Sequence, residues 1–143
     1  MKIKFLGAAG TVTGSSYVLT SGSGQSLLID LGMFQGPEIE HLNYVPYEYD
    51  CSQLVGAVLT HAHLDHCGRL PLLLRGGFSS SIWMTPETAD LTELSLFDTA
   101  KIAKMDGKQI IFDTELAIET IERFKRVYYR TPTAIGDFIV TFR

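Results

Sequence analysis

Short apolar segments separated by polar or glycine-rich turns run along the chain and predict a series of strands. Their lengths and boundaries place these strands over residues 2–7, 16–20, 26–31, 55–60, 81–84 and 137–142. The segment from Leu54 to Thr60 has no charged residue, which is typical of a strand buried on both faces of a sheet. The Ser-Gly-Ser-Gly stretch at 21–24 is a hairpin connection between the second and third strands.

Capping residues and apolar spacing predict three helices. They are expected after Pro71 as far as Gly76-Gly77, from the Thr85-Pro86 cap to about residue 103, and after a cap at Asp113 or Thr114, where Ala117, Ile121 and Phe124 recur at i, i+4 and i+7. No internal repeat and no low-complexity stretch interrupts this pattern of strands and helices.

Three of the four histidines lie within six consecutive positions at the end of the strand predicted at 55–60. His61, His63, Asp65 and His66 supply imidazole and carboxylate groups, which zinc accepts as ligands at neutral pH. The carboxyl end of a buried strand is also where open α/β sheets place their sites. We therefore interpret the run as part of a metal centre; the alternative is a polar surface turn without metal.

Spacing divides these ligands between two ions. His61 and His63 point the same way in an extended segment and can hold one ion, whereas a turn after His63 would bring Asp65 and His66 to a second. A catalytic zinc takes about three protein ligands and a water, so both ions need further ligands. The fourth histidine, His41, has no partner at a recognisable spacing, and we expect a solvated loop or helix residue there.

The composition is that of ordinary globular material. The chain has 143 residues, of which 45% are hydrophobic and 20% charged, a size and balance typical of one domain. It has no signal-peptide pattern and no apolar run of membrane length, so we expect a cytoplasmic protein that does not bind membranes. Two cysteines make no disulfide framework. Cys67, next to His66, is expected to be a small buried residue rather than a thiolate ligand.

Charge is distributed unevenly along the chain. Residues 1–100 carry four Lys and Arg against ten Asp and Glu, a balance of −6, whereas residues 101–143 carry eight against six, or +2. An acidic surface repels phosphates, although bound zinc ions would offset part of that charge locally. The basic and aromatic run at 123–130 either follows a nucleic-acid backbone or ends a helix with cations at its negative pole; we favour the helix end.

An ordered set of short motifs resembles one enzyme family. The pattern His-x-His-x-Asp-His, together with the acid near the end of the strand Leu28-Ile29-Asp30-Leu31, resembles metallo-β-lactamase-fold hydrolases. Further blocks resemble the β-CASP branch of that family, which processes RNA: Gly7 to Ser16, Phe34-Gln35-Gly36, Gly68-Arg69-Leu70-Pro71 and Thr85 to Leu91. Together they cover most of residues 1–105, so the chain is similar to the N-terminal part of such an enzyme.

The resemblance implies a fold, a metal centre and a substrate. The fold would be α/β, the N-terminal part of a four-layer αββα sandwich, and the site of the full-length protein would hold two zinc ions. His61, His63, Asp65 and His66 would be ligands, with Asp65 also catalytic because it helps to orient the attacking hydroxide. Asp30 would organise the ligand loop by accepting a ring hydrogen from a ligand histidine; the alternative is a turn aspartate bonded to its own backbone. The substrate would be RNA, cut internally, from its 5′ end, or both.

The resemblance also implies a domain organisation. Members of the family carry a further ligand histidine, a bridging aspartate and an inserted β-CASP domain, none of which follows the closing strand of this chain. Residues 1–143 are therefore expected to be the N-terminal portion of a metallo-β-lactamase-type domain. Alone, it is expected to be inactive, to bind zinc weakly and to self-associate through exposed apolar surface. Two alternatives keep the fold: a hydrolase of small esters or thioesters, and a non-catalytic subunit that binds RNA or protein.

Overall fold

A mixed β-sheet organises the chain, and its strand order determines where the candidate site lies. The computed structural model describes residues 1–45, 47–105, 107 and 109–143. In these residues six strands form the sheet: Lys2–Gly7 (β1), Ser16–Thr20 (β2), Ser26–Leu31 (β3), Leu54–Val58 (β4), Ile82–Met84 (β5) and Phe124–Arg126 (β6). They lie side by side in chain order, antiparallel from β1 to β3 and parallel from β3 to β6. A separate antiparallel hairpin is formed by Thr133–Ile135 (β7) and Phe138–Val140 (β8).

Helices fill the connections between the parallel strands. The described residues contain the α-helices Leu64–Cys67 (α1), Leu72–Arg75 (α2), Pro86–Met105 (α3) and Thr114–Ile121 (α4), and two short 3-10 helices at Glu40–Tyr44 and Cys51–Gln53. Asp113 caps α4 by accepting a hydrogen bond from the Leu116 N–H at 2.9 Å. Of the two caps predicted from the sequence, Asp113 and Thr114, the structure thus has Asp113. None of the helices in the described part of the chain is long and apolar enough to cross a bilayer.

Alternate side chains of the sheet enter two different cores. One core, between the sheet and helices α1 to α3, includes Leu28, Ala57, Ile82, Cys67, Leu70, Leu73 and Ala89. The other, between the sheet and the β7–β8 hairpin, includes Leu27, Val58, Trp83, Ile135 and Phe138. The period of two along β3, β4 and β5 thus buries both faces of the sheet. The carboxyl ends of these parallel strands remain at a common edge.

The predicted α/β class is confirmed, and β1, β2 and β3 have the bounds expected from the sequence. The sequence did not predict β6 and β7. The interpretation of residues 123–130 as a helix end is wrong, because α4 ends at Ile121 and Phe124 begins β6. Main-chain hydrogen bonds explain the difference: the N–H groups of Ile82 and Val127 bond across the β5–β6 pair at 2.9 and 2.8 Å. Sheet pairing therefore outweighed the helical spacing of Phe124.

Candidate metal centre

The predicted ligand run leaves the carboxyl end of β4 and turns at once into α1. His61 to His63 cross the edge of the sheet without regular secondary structure. The carbonyl group of His63 then accepts hydrogen bonds from the N–H groups of His66 and Cys67 at 2.8 and 2.9 Å. The turn expected after His63 is therefore present. It brings the side chains of Asp65 and His66 back towards His61.

Asp30 reaches this run from a β-bulge at the end of β3. Ser16 pairs with Leu31 and Tyr17 pairs with Ile29, so Asp30 is the extra residue between them. Its φ of 57° lies in the left-handed region, which aspartate tolerates better than most residues other than glycine. A bulge redirects the side chain of the residue it inserts. Here the bulge directs the Asp30 carboxylate towards the loop after β4. Asp30 is only 2% exposed.

Three hydrogen bonds join the Asp30 carboxylate to the ligand loop. Oδ1 accepts from the backbone N–H of Thr60 at 2.8 Å. Oδ2 accepts from the Thr60 hydroxyl at 2.8 Å and from Nδ1 of His66 at 2.7 Å. The partners of Asp30 lie 30 and 36 residues further along the chain. The carboxylate therefore connects the end of β3 to the loop after β4.

Thr60 extends this ordering to a second histidine. Its hydroxyl oxygen lies 3.0 Å from Nδ1 of His61, and since its one proton is donated to Asp30, it accepts from the imidazole. In the neutral form of both rings, His61 and His66 then carry the proton on Nδ1, and this tautomer leaves Nε2 available to a cation. No role for Thr60 was predicted from the sequence. The one signal for it was its position directly before His61.

The three histidine rings cluster at the sheet edge. The ring centroid of His61 lies 3.9 Å from that of His66 and 4.7 Å from that of His63. Nε2 of His66 lies 3.6 Å from Oδ2 of Asp65. Partial burial lowers the pKa of His61, and the charges of His66 and His63 lower it further, whereas those of Asp30 and Asp65 oppose this shift. The neutral imidazole, which is the form that binds metal, is therefore favoured.

This donor set fits part of a metal centre. Imidazole nitrogen and carboxylate oxygen are usual zinc ligands, and the rings converge instead of spreading into solvent. Across residues 1–45, 47–105, 107 and 109–143, however, no three His, Cys, Asp or Glu side chains are grouped so that they could hold one ion. A complete three-ligand site is therefore not formed by the described residues alone.

Main-chain contacts hold the ligand loop against the end of β3. The Ser15 N–H donates to the Asp65 carbonyl group and the Gly32 N–H to the Ser15 carbonyl group, both at 2.9 Å. The Met33 N–H donates to the Leu64 carbonyl group at 2.8 Å. Gly32 packs so closely against the loop that a Cβ atom there would overlap the carbonyl group of Asp65. The absence of a side chain at position 32 is therefore required for this approach.

Arg69 supports the same junction from the interior. Its backbone N–H donates to the Leu31 carbonyl group at 2.9 Å, and its Nε donates to the Gly32 carbonyl group at 2.5 Å. The guanidinium carbon lies 4.4 Å from the centroid of the Phe34 ring. The side chain is 4% exposed, and burial lowers its pKa to about 10. The residue is still a cation at neutral pH. From the sequence it was recognised only as part of the motif Gly68-Arg69-Leu70-Pro71.

The other candidates from the sequence lie outside the cluster of rings. Cys67 is buried, and burial raises the pKa of its thiol to about 12. It therefore packs as a neutral side chain, as expected. His41 is exposed in the 3-10 helix Glu40–Tyr44, as expected for a solvated residue.

Replacing Asp30 with Asn should weaken zinc binding by about 10- to 100-fold, because the groups that orient metal ligands contribute effects of this size. The amide keeps the shape and tolerates the positive φ, but it lacks the charge that orders Thr60 and His66. Titration of the metal-free chain with Zn²⁺ against a chromophoric chelator measures the change. Asp50, which bonds Ser52 in an exposed turn, gives the control variant Asp50→Asn with unchanged affinity. Equal affinity of Asp30→Asn and the wild type would contradict the ordering role.

Comparison with known proteins gives one family and a consistent group of relatives. The protein-family model described as "Metallo-beta-lactamase superfamily" matches residues 9–140 of this chain. Ribonuclease TTHA0252 of Thermus thermophilus is 45% identical over 142 residues, which are 99% of this chain and 32% of the relative. Transcription termination factor FttA of Methanosarcina mazei is 31% identical over 99% of this chain and 23% of the relative. Cleavage and polyadenylation specificity factor 73 of Drosophila melanogaster is 30% identical over 85% of this chain and 18% of the relative. The chain therefore spans about a third or less of the length of these curated relatives.

Solved structures share the fold at low sequence identity. Rm3 metallo-beta-lactamase superposes with a TM-score of 0.57 at 18% identity, over 97% of this chain and 47% of that one. YhfI from Bacillus subtilis, described as a metallo-beta-lactamase fold protein, superposes with a TM-score of 0.51 at 19% identity, over 97% of this chain and 51% of that one. At these identities the similarity concerns the fold alone.

Proposed function

Because the chain belongs to the metallo-beta-lactamase superfamily and, within it, to the β-CASP branch, we propose that it supplies the first ligand loop of a metal-dependent RNA nuclease. The observation that carries the proposal is the cluster of three imidazoles at the carboxyl end of β4, two of which, His61 and His66, are ordered by Thr60 and Asp30. Relatives named as a ribonuclease and as a cleavage factor support RNA as the substrate.

The proposal includes the place of this chain in the enzyme. The order of its motifs is that of an N-terminal portion, and ribonuclease TTHA0252 is matched over only 32% of its own length. The donors gathered in the described residues fall short of the three that a catalytic zinc usually takes. We therefore assign the missing ligands to further parts of the enzyme and expect residues 1–143 alone to cut RNA poorly.

The proposed chemistry assigns a task to each side chain of the cluster. His61, His63, Asp65 and His66 are the ligands from this chain for two zinc ions. When bound, two such ions supply a water that ionises near neutral pH and stabilise the attacking and leaving oxygens of the phosphodiester. Asp30 and Thr60 keep Nε2 of His61 and His66 unprotonated for this purpose. Asp65 holds the second ion and orients the attacking water.

Metal removal tests this proposal in the enzyme that contains the chain. Cleavage of a 5′-labelled single-stranded RNA should disappear after dialysis against a strong chelator and return when Zn²⁺ or Mn²⁺ is added, because no side chain of the cluster replaces the ions. Mass spectrometry should find about two metal ions per active site. Cleavage that continues without metal would contradict the mechanism. A metal-loaded enzyme that hydrolyses thioesters and leaves RNA intact would instead support the alternative hydrolase.

A further inference from the structure

Aromatic rings and cations form a surface beside the candidate metal centre. β6 ends at Arg126, and the turn that follows it carries Tyr128, Tyr129 and Arg130. The two tyrosines are 73% and 58% exposed, although tyrosine rings usually bury part of their large apolar area. Together with exposed Lys125, these three residues are called here the tyrosine–arginine surface. The side chains of Tyr128, Tyr129 and Arg130 belong to none of the cores described above.

The strand register places this surface level with the ligand loop. β4 pairs with β5 through Val58, and β5 pairs with β6 through Arg126, all in parallel. Val58, Trp83 and Lys125 lie side by side in that register, so His61 and Tyr128 are each three residues beyond the same row. β5 alone lies between β4 and β6, so the two positions are separated laterally by roughly 10 Å, twice the usual strand spacing. An extended polymer on the tyrosines would therefore lead towards the histidines.

The turn that presents the surface has an unusual conformation. The Thr131 N–H donates to the Tyr128 carbonyl group at 3.2 Å, which closes the turn. Arg130 within it has a φ of 60°, a left-handed conformation that arginine rarely adopts. Its N–H donates to the carbonyl group of Phe142 at 2.8 Å. Such conformations concentrate at functional positions, and this one turns the backbone so that the tyrosines and the guanidinium remain in solvent.

The cations of the surface are available to a ligand. Arg126 pairs with Asp90 at 2.5 Å, and Arg123 donates to the Ser79 carbonyl group at 3.0 Å. Among the ion pairs of the described residues, none involves Lys125 or Arg130. Arg130 also lines an open crevice of about 510 Å³, together with Pro132, Thr141 and Arg143. The net charge of −6 on residues 1–100 discourages polyanions on the rest of the molecule.

We propose that the tyrosine–arginine surface binds single-stranded RNA and guides it to the metal centre. The choice of RNA among polyanions rests on the proposed function. Tyr128 and Tyr129 would stack on unpaired bases, while Lys125 and Arg130 would contact phosphates, which is the combination that sequence-tolerant single-strand binding uses. Cations alone would bind duplex and single strands with little distinction, whereas exposed rings need unstacked bases. The surface is therefore specific for unpaired segments.

Binding to a fluorescein-labelled oligouridylate of about twelve nucleotides, within the usual site sizes, tests the role of the rings. Fluorescence anisotropy is measured with the chain in EDTA, so that cleavage and metal play no part. The double variant Tyr128→Ala/Tyr129→Ala should bind at least about tenfold more weakly, since stacking contributes this much per base. Tyr128→Phe/Tyr129→Phe keeps both rings and should bind within about twofold of wild type. Wild-type affinity in the alanine variant, or equal affinity for an RNA duplex, would overturn the proposal.

The role of the positive charge is tested at Arg130. Its left-handed φ of 60° is a conformation that glycine adopts readily. Arg130→Gly removes the charge and fits the left-handed φ, so it should fold and show a shallower salt dependence of binding, by about one phosphate contact. Arg130→Lys should restore the slope. Lys4→Ala, on β1 at the far edge of the sheet, should leave both affinity and slope unchanged. If Lys4→Ala reduced the salt dependence of binding as much as Arg130→Gly, or if Arg130→Gly did not reduce it, the role of Arg130 in RNA binding would be contradicted.

The two proposals fail in different ways. If the chain binds oligouridylate through the tyrosines but the metal-loaded enzyme cuts no RNA, the nuclease function is wrong and the surface stands as an RNA-binding site. If the enzyme cuts RNA in a metal-dependent manner and the tyrosine variants bind RNA as the wild type does, the nuclease function stands. The proposal that the tyrosine–arginine surface binds RNA is then wrong.

Discussion

Gly32→Ala is expected to destabilise the fold by at least about 3 kcal/mol, the upper range for overpacking a close contact. The added Cβ would overlap the carbonyl group of Asp65, and the neighbouring atoms are backbone rather than a flexible side chain. Relief requires the loop to move away from β3, which would break the bonds from the Ser15 N–H to Asp65 and from the Met33 N–H to Leu64. Against a typical total stability of about 5–15 kcal/mol, this is a large fraction. Urea unfolding followed by circular dichroism measures the change.

Gly22→Ala provides the matched control for that experiment. Gly22 lies in the β2–β3 connection, and a Cβ there meets no atom within 4 Å. It should change the stability by less than about 0.5 kcal/mol, as most surface substitutions do. An insoluble Gly32→Ala beside a soluble Gly22→Ala would support the close approach. Equal unfolding midpoints for the two variants would show that the loop does not pack on Gly32 as described.

Asp65→Ala should reduce RNA cleavage by the enzyme that contains this chain by more than about a hundredfold. Loss of a group that merely orients a metal ligand costs up to about that much, and Asp65 is proposed to hold an ion directly. Its carboxylate lies 3.6 Å from Nε2 of His66 and is part-exposed, so the substitution removes little packing. Its carbonyl group, which accepts from Ser15, is unaffected. Single-turnover cleavage of a labelled RNA, with the metal content of each sample, gives the measurement.

A stability measurement separates chemistry from folding in this variant. Asp65→Ala and wild type should unfold within about 1 kcal/mol of each other, because part-exposed polar side chains contribute little. Asp50→Ala removes a carboxylate from an exposed turn before β4 and should cut RNA at the wild-type rate. Unchanged cleavage in Asp65→Ala would remove Asp65 from the mechanism and leave the histidines to be explained otherwise.

Much of the fold could be predicted because its signals are local. The strands β1, β2 and β3 are short apolar segments of five or six residues that glycine and serine turns separate. The cap at Asp113 and the proline at the start of α3 mark helix starts within a few residues of chain. Each of these signals depends on neighbours in sequence, so a pattern of residue types is enough to identify it.

The short strand β6 could not be predicted, for an equally physical reason. Its residues Phe124, Lys125 and Arg126 include two exposed cations, and they lack the alternation of a half-buried strand. They are extended because β5 offers unpaired main-chain groups at that edge. The prediction of a helix end at this segment followed the spacing of Phe124 with Ile121 and failed, since pairing with a distant segment decided the conformation.

The sequence by itself determined the types of donor and their family. Three imidazoles and a carboxylate after a buried strand, in the order shared by the β-CASP branch, needed no coordinates. Only the tertiary structure decided which groups meet. Asp30 reaches His66 through a bulge, Thr60 orders His61, and Lys125 comes into one row with Val58 of β4. Spacing along the chain sets directions within one segment, whereas contacts between segments depend on strand order and register, which the pattern of hydrophobic residues leaves open.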